Sequence, residues 1–134
     1  HASEISEAIQ INLNAFNLFI TGKPVMNVAY FIWKNPWMVA GKNTFINYLL
    51  ELNRYKNPYK NLGRYPELNM KLEDGIDLVL LSSEPFPFKE KHIEELQKYY
   101  TKAHIHLIDG EMFSWYGSRL IQAFSYFKSL RLNL

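Results

Sequence analysis

The sequence contains no cysteine. Disulfide frameworks, thiolate metal sites and cysteine nucleophiles are therefore excluded. No apolar run approaches the roughly 20 residues that a membrane helix needs. The opening residues carry neither the basic nor the apolar segment of a secretory leader, so the start reads as a domain boundary. Charge of one sign is scarce: fifteen basic residues meet thirteen acidic ones, for a net charge of +2. A nucleic-acid binder is expected to show a more marked basic stripe. Glycine and proline number six each. Low-complexity tracts and internal repeats are absent, and Gly41 stands alone where a phosphate loop would need several glycines. There is no G-x-S-x-G elbow, and Ser82, Ser83, Ser114 and Ser118 lack a His and an acid in register.

What remains is an ordinary globular chain with many rings. Hydrophobic residues make up 48% of the 134 and charged residues 21%, which fits one folded domain. Aromatic residues reach 16%, with nine Tyr, nine Phe and three Trp. Residues 2–20 carry apolar positions at spacings of three and four, with Ile11 and Leu18 off the main stripe. Apolar residues on a second side predict a second neighbour for that helix. The branched and aromatic run 24–33 predicts a buried strand. Thr44 is a good N-cap for a helix along Phe45, Tyr48, Leu49 and Leu52. Residues 53–67 hold turn formers and predict irregular chain, with a short helical or irregular stretch on to Gly75. Residues 76–82 predict a second strand and 89–102 a helix with Ile93, Leu96 and Tyr100 inward. A third strand is expected at 104–109 and a last helix at 118–130.

A helix followed by three rounds of strand, loop and helix predicts an α/β three-layer sandwich with a small parallel sheet. Ligands of such sheets bind outside the carboxyl ends of the strands. The loops there are 34–43, 83–88 and 110–117. They and the strand end bring together Trp33, Trp37, Phe86, Phe88, Phe113, Trp115 and Tyr116. Core packing would scatter the tryptophans, whereas gathering them in loops favours a ring-lined binding face.

The phrases IWKNPWMVAGKNTFINYLL, RYPEL, DLVLLSSEPFPFKEKHIEEL and HLIDGEMFSWYGSRL, in that order, resemble the C-terminal lobe of one class of substrate-binding protein. This is the helical-backbone metal-receptor class of bacterial ABC uptake systems for cobalamin, haem and ferric siderophores. The resemblance runs over about residues 23–130. It implies two Rossmann-like lobes joined by one long helix, with the ligand in the cleft between them. Residues 1–22 would then end that interlobe helix, and residues 23–134 would form the C-terminal substrate-binding lobe. The N-terminal lobe would be a missing partner. The resemblance implies ligand contacts from Trp33, Trp37 and Tyr65, and polar and aromatic ones from 109–119, which includes Arg119. It implies a periplasmic or otherwise extracytoplasmic place, with or without a lipid anchor, and no enzymatic activity or covalently bound cofactor. It also implies docking on the transporter permease through an acidic residue just after RYPEL. There the sequence departs: Lys71 stands at the aligned spot, with Glu67 and Glu73 beside it.

Other residues invite other chemistry. His104 and His106 alternate on a strand and share a face, but two imidazoles without further ligands make a weak metal site. His92, on a charged helix, is expected to be solvated. Tyr65 or Tyr116 could serve as an axial haem ligand. Glu84, Asp109 and Glu111 could form an acid–base pair, although turn and cap roles suit Asp109 and Glu111 better. The stretch 54–65 interleaves basic residues with tyrosines. A small nucleic-acid or protein interaction domain using that loop is the alternative function.

Overall fold

The computed structural model describes residues 2–113 and 119–133. Helix α1 covers Ala2–Thr21 and strand β1 Met26–Trp33. A short strand β2, Met38–Val39, precedes helix α2, Phe45–Leu52, and strand β3, Tyr55–Lys56. Then come β4 at Leu78–Ser82, helix α3 at Glu90–Gln97, β5 at His104–Ile108 and helix α4 at Arg119–Leu132. Short 3-10 turns lie at Lys60–Leu62 and Gly110–Phe113.

Strands β1 and β4 read as buried because both of their faces are covered. In β1 and β4, Val28, Tyr30, Leu78 and Leu80 point to one side, where they meet Phe16, Ile20, Leu49, Leu50, Phe124 and Phe127 of α1, α2 and α4. The alternate residues Ala29, Phe31, Val79 and Leu81 point to the other side, toward Leu96 of α3, Tyr100 and Phe88. A period of two along a strand feeds two cores at once. The order across the main sheet is β2-β1-β4-β5, and β1 pairs in parallel with β4, and β4 with β5. The α/β sandwich expected from the sequence is thus present.

Details differ. The sheet is mixed, because β2 folds back antiparallel on β1 through the turn 34–37. Asn35 in that turn has φ 62°, the left-handed region that Asn tolerates. α3 stops at Gln97 instead of 102. Gln97 turns its side-chain amide onto the carbonyls of Tyr100 and Ala103, which ties the chain into a bend before β5. Residues 63–77 contain no helix. Leu68 and Met70 of this stretch pack against the α3-side core. α1 leaves Ile11 and Leu18 67% and 81% exposed, the second apolar side noted in its sequence. Among the described residues no helix is long and apolar enough to cross a membrane.

Candidate functional site

The carboxyl ends of β1 and β4 carry a continuous row of rings. Trp33 meets Phe86 edge-on, with centroids 5.4 Å apart. Phe86 lies 4.7 Å from Phe88, and Phe88 stacks on Trp37 at 6.4 Å and 12°. Trp37 in turn meets Phe31 of the core at 5.7 Å. Exposure grades outward along this row. Phe88 is buried, Phe86 and Trp37 are half-buried, and Trp33 is 40% exposed. A buried floor under a half-exposed rim is what a preformed stacking surface needs, because few rotamers are left to freeze.

Cations border the row. The Lys34 ammonium sits 5.5 Å from the Trp37 ring centre and pairs with the Glu95 carboxylate at 2.7 Å. That pairing holds the Glu95 carboxyl below its usual range, chiefly through the hydrogen bond from Lys34. Below the ring row His92 is buried, contrary to the solvated position expected of it. Its Nδ1 accepts the Lys89 amide N–H at 2.9 Å, and Phe86 and Phe88 flank it at 5.4 and 5.3 Å.

Tyr65 lies in a strip held beside β2 by backbone pairing. The segment 64–68 lies along β2: the Val39 amide donates to the Pro66 carbonyl, the Leu68 amide to Trp37, and the Gly41 amide to Arg64 at 2.7 Å. Gly41 makes this close passage feasible, since a Cβ there would lie 2.0 Å from the Gly63 carbonyl oxygen. Tyr65 is 42% exposed, with the Arg64 guanidinium 5.6 Å from its ring centre. Glu67 bridges Met38 in this strip and is exposed. Glu73 is elsewhere: its amide donates to the Tyr99 carbonyl, on the side of α3.

Phe113 does not belong to the rim. It is fully buried against Tyr30 and Phe127, at 5.1 and 5.0 Å. The 3-10 turn that follows Gly110 swings it under the sheet. Gly110 is held there by a bond from its amide to Ser83 Oγ, at 3.0 Å. Trp115 and Tyr116 lie outside the described residues, as does the side chain of Arg119, whose backbone opens α4.

The remaining candidates have structural work. Asp109 accepts the Glu111 amide N–H at 3.0 Å, a local turn bond. Ser82 accepts from the Tyr30 hydroxyl and donates to the Glu84 carbonyl at 2.6 Å. Burial keeps the Tyr30 phenol far above its usual range, so it stays a donor. His104 and His106 do share a face, with ring centroids 6.4 Å apart. Among the described residues no cluster of three or more His, Asp or Glu is placed to hold a metal ion.

The basic Tyr-rich segment lines a depression of about 910 Å³ at the opposite, amino ends of the strands. Arg54, Lys56, Lys60 and Asn61 border it together with Glu51 and Glu73. Two of its tyrosines are turned inward: Tyr55 is 2% exposed, and the Tyr59 hydroxyl bonds that of Tyr100 at 3.0 Å. Rings committed to packing cannot stack on bases. Carboxylates among the basic groups also weaken any attraction for phosphate.

No family model and no curated protein matches the sequence. Solved structures do match the fold. One is described as a possible iron-binding, periplasmic solute-binding protein from Staphylococcus epidermidis. It has a TM-score of 0.74 and 20% identity, over 96% of this chain and 53% of that one. An ABC transporter substrate-binding protein from Listeria monocytogenes gives 0.77 at 12% identity, over 98% and 57%. A periplasmic binding protein from Veillonella parvula gives 0.67 at 14%, over 94% and 48%. This chain has the fold of half a substrate-binding protein. It spans about half the length of each neighbour. In this lobe-like fold the ring row occupies the carboxyl edge of the sheet, where open α/β sheets take their ligands.

Proposed function

We propose that the chain is one lobe of a substrate-binding protein of an ABC-type uptake system. It holds one side of a corrinoid, haem or ferric siderophore against Trp33, Trp37, Tyr65 and Phe86. The observation that carries this reading is the graded aromatic row at the carboxyl edge of the sheet. A large flat or ring-bearing chelate gains contact area there, and Arg64 is near enough to the Tyr65 ring to favour anionic groups on it. Neighbours that are binding proteins support capture and delivery over catalysis. So does Asp109, whose carboxylate is engaged in a turn.

In this reading a second lobe closes over the rim, and α1 is the end of the helix that joins the two. The exposed Ile11 and Leu18 support a neighbour on that side. Trp115 and Tyr116, and Arg119 at the start of α4, add further contacts. The place of action is outside the cytoplasmic membrane. Docking on the permease uses Glu67, which is exposed in the strip beside β2, with Glu73 as the second carboxylate.

The test is a titration of the protein with cyanocobalamin, haemin and a ferric siderophore, followed by tryptophan fluorescence. Quenching by at least one of them is expected. Trp33→Ala should weaken that binding by roughly 0.5–1.5 kcal/mol, the worth of one ring pair. An unchanged emission with all three ligands would sink the proposal.

A further inference from the structure

We infer that His92, in its neutral form, is a positioning residue for the aromatic rim, and that its protonation loosens the rim in mildly acidic solution. Three observations meet at this imidazole. First, it is only 3% exposed, although its helix reads Glu-Lys-His-Ile-Glu-Glu-Leu-Gln. Second, Nδ1 accepts the Lys89 amide N–H at 2.9 Å. That amide is the entry to α3, where no side chain of the usual capping type stands. Neutral imidazole can accept there only as the tautomer with its proton on Nε2. Imidazolium carries N–H on both nitrogens and cannot accept at all. Third, the flanking rings are the rim's own supports. Phe86, at 5.4 Å, carries Trp33, and Phe88, at 5.3 Å, carries Trp37. The imidazole is thus one ring away from each indole.

Charging the imidazole would set N–H against N–H at the start of α3 and place a cation among apolar rings. The loop 83–89 that bears both phenylalanines has to move to relieve it. Two of the charged groups around it oppose the cation and one, Glu95, favours it. Lys34 faces it from the turn after β1, and Lys91 lies on its own helix. Glu95, one turn on, is already paired with Lys34. The loop 83–89 brings rings to the imidazole, and burial and Lys34 together hold His92 below its ordinary value of 6.5. The rim is therefore intact at neutral pH and yields only as the solution turns acidic. The consequence for ligand binding rests on the function proposed above; the coupling of His92 to the two indoles does not.

The experiment follows the imidazole of His92 and the indole N–H signals of Trp33 and Trp37 by NMR. It uses the ligand-free protein from about pH 7.5 to about pH 5, in wild type and in His92→Asn. The Asn carboxamide oxygen can replace Nδ1 as acceptor for Lys89 but does not titrate. In wild type both indole signals should move with the midpoint of His92. In His92→Asn the protein should stay folded by circular dichroism, with indoles that no longer follow pH. Indoles that stay still through the His92 titration would overturn the inference, and so would indoles that titrate equally in the variant. A parallel titration with cyanocobalamin should show affinity falling by up to about tenfold per pH unit below the midpoint, the limit for one proton, and a flat profile in His92→Asn. Absence of cyanocobalamin binding counts against the corrinoid reading and leaves the indole signals to decide His92.

Discussion

Gly41→Ala should detach the strip that carries Tyr65. A Cβ at this position would lie 2.0 Å from the Gly63 carbonyl oxygen, 3.1 Å from Pro66 Cδ and 3.2 Å from the Arg64 carbonyl oxygen. Two of these are backbone atoms, so no side chain can swing aside. The strip must shift as a unit. Three of the bonds that hold it lie beside Gly41: Gly41 to Arg64 at 2.7 Å, Lys42 to Gly63 at 2.9 Å and Val39 to Pro66 at 3.2 Å. At about 0.5–1.5 kcal/mol net for each bond, their loss costs about 1.5–4.5 kcal/mol. That is a large part of the roughly 5–15 kcal/mol that holds a domain folded. Urea unfolding followed by circular dichroism reads the cost. Gly22→Ala is the control, because a Cβ there meets nothing within 4 Å. The expected result is a much lower urea midpoint for Gly41→Ala, and a Gly22→Ala midpoint within about 0.5 kcal/mol of wild type. Equal midpoints for the two variants would refute the close passage of 63–66 over Gly41.

Phe113→Ala should cost about 3–5 kcal/mol in the same assay, as for other buried phenylalanines; a loss below about 1 kcal/mol would put the ring outside the core. Arg131→Met should also destabilise. The buried guanidinium donates to the Asn53 carbonyl at 2.9 Å and to the Pro24 carbonyl, and covers the Tyr55 ring at 4.6 Å. Each carbonyl left without a donor costs about 1–3 kcal/mol, so an unchanged urea midpoint would contradict these contacts. Stability should also fall as pH drops below 6.5, the ordinary value of an imidazole that burial and Lys34 hold lower in the folded chain. Below 6.5 the unfolded chain takes up a proton that folded His92 refuses, and unfolding is favoured down to the folded midpoint. Urea melts across this range should show the slope in wild type and a shallower one in His92→Asn.

Much of the fold was legible because both faces of β1 and β4 are covered, and continuous apolar runs therefore betray them. The N-cap at Thr44 was equally legible, and its Oγ1 does accept the Asn47 amide at 3.0 Å. β2 was not, since a two-residue strand is set by the turn before it and by the 64–68 strip, which is distant in sequence. Phe113 was misassigned to the rim because a loop position fixes no direction for a ring. The available signal was the apolar pair Met112-Phe113 one turn after Gly110, which suits a tucked 3-10 turn. His92 was missed because its neighbours are charged. Its position three residues after Lys89, where a capping-box side chain turns back to the chain, was the clue. Trp33, Trp37 and Phe86 do come together, and Tyr65 is tied to the strip beside Trp37 through backbone bonds that no side-chain pattern announces.

The most direct measurement is a map of NMR shift changes as a bound chelate is added, read at the rim and at the cavity under the opposite edge in the same spectra. The account predicts large changes at the indole N–H of Trp33 and Trp37, with the amides of Lys56 and Asn61 unmoved. Changes centred on Lys56 and Asn61, with quiet indoles, would contradict it.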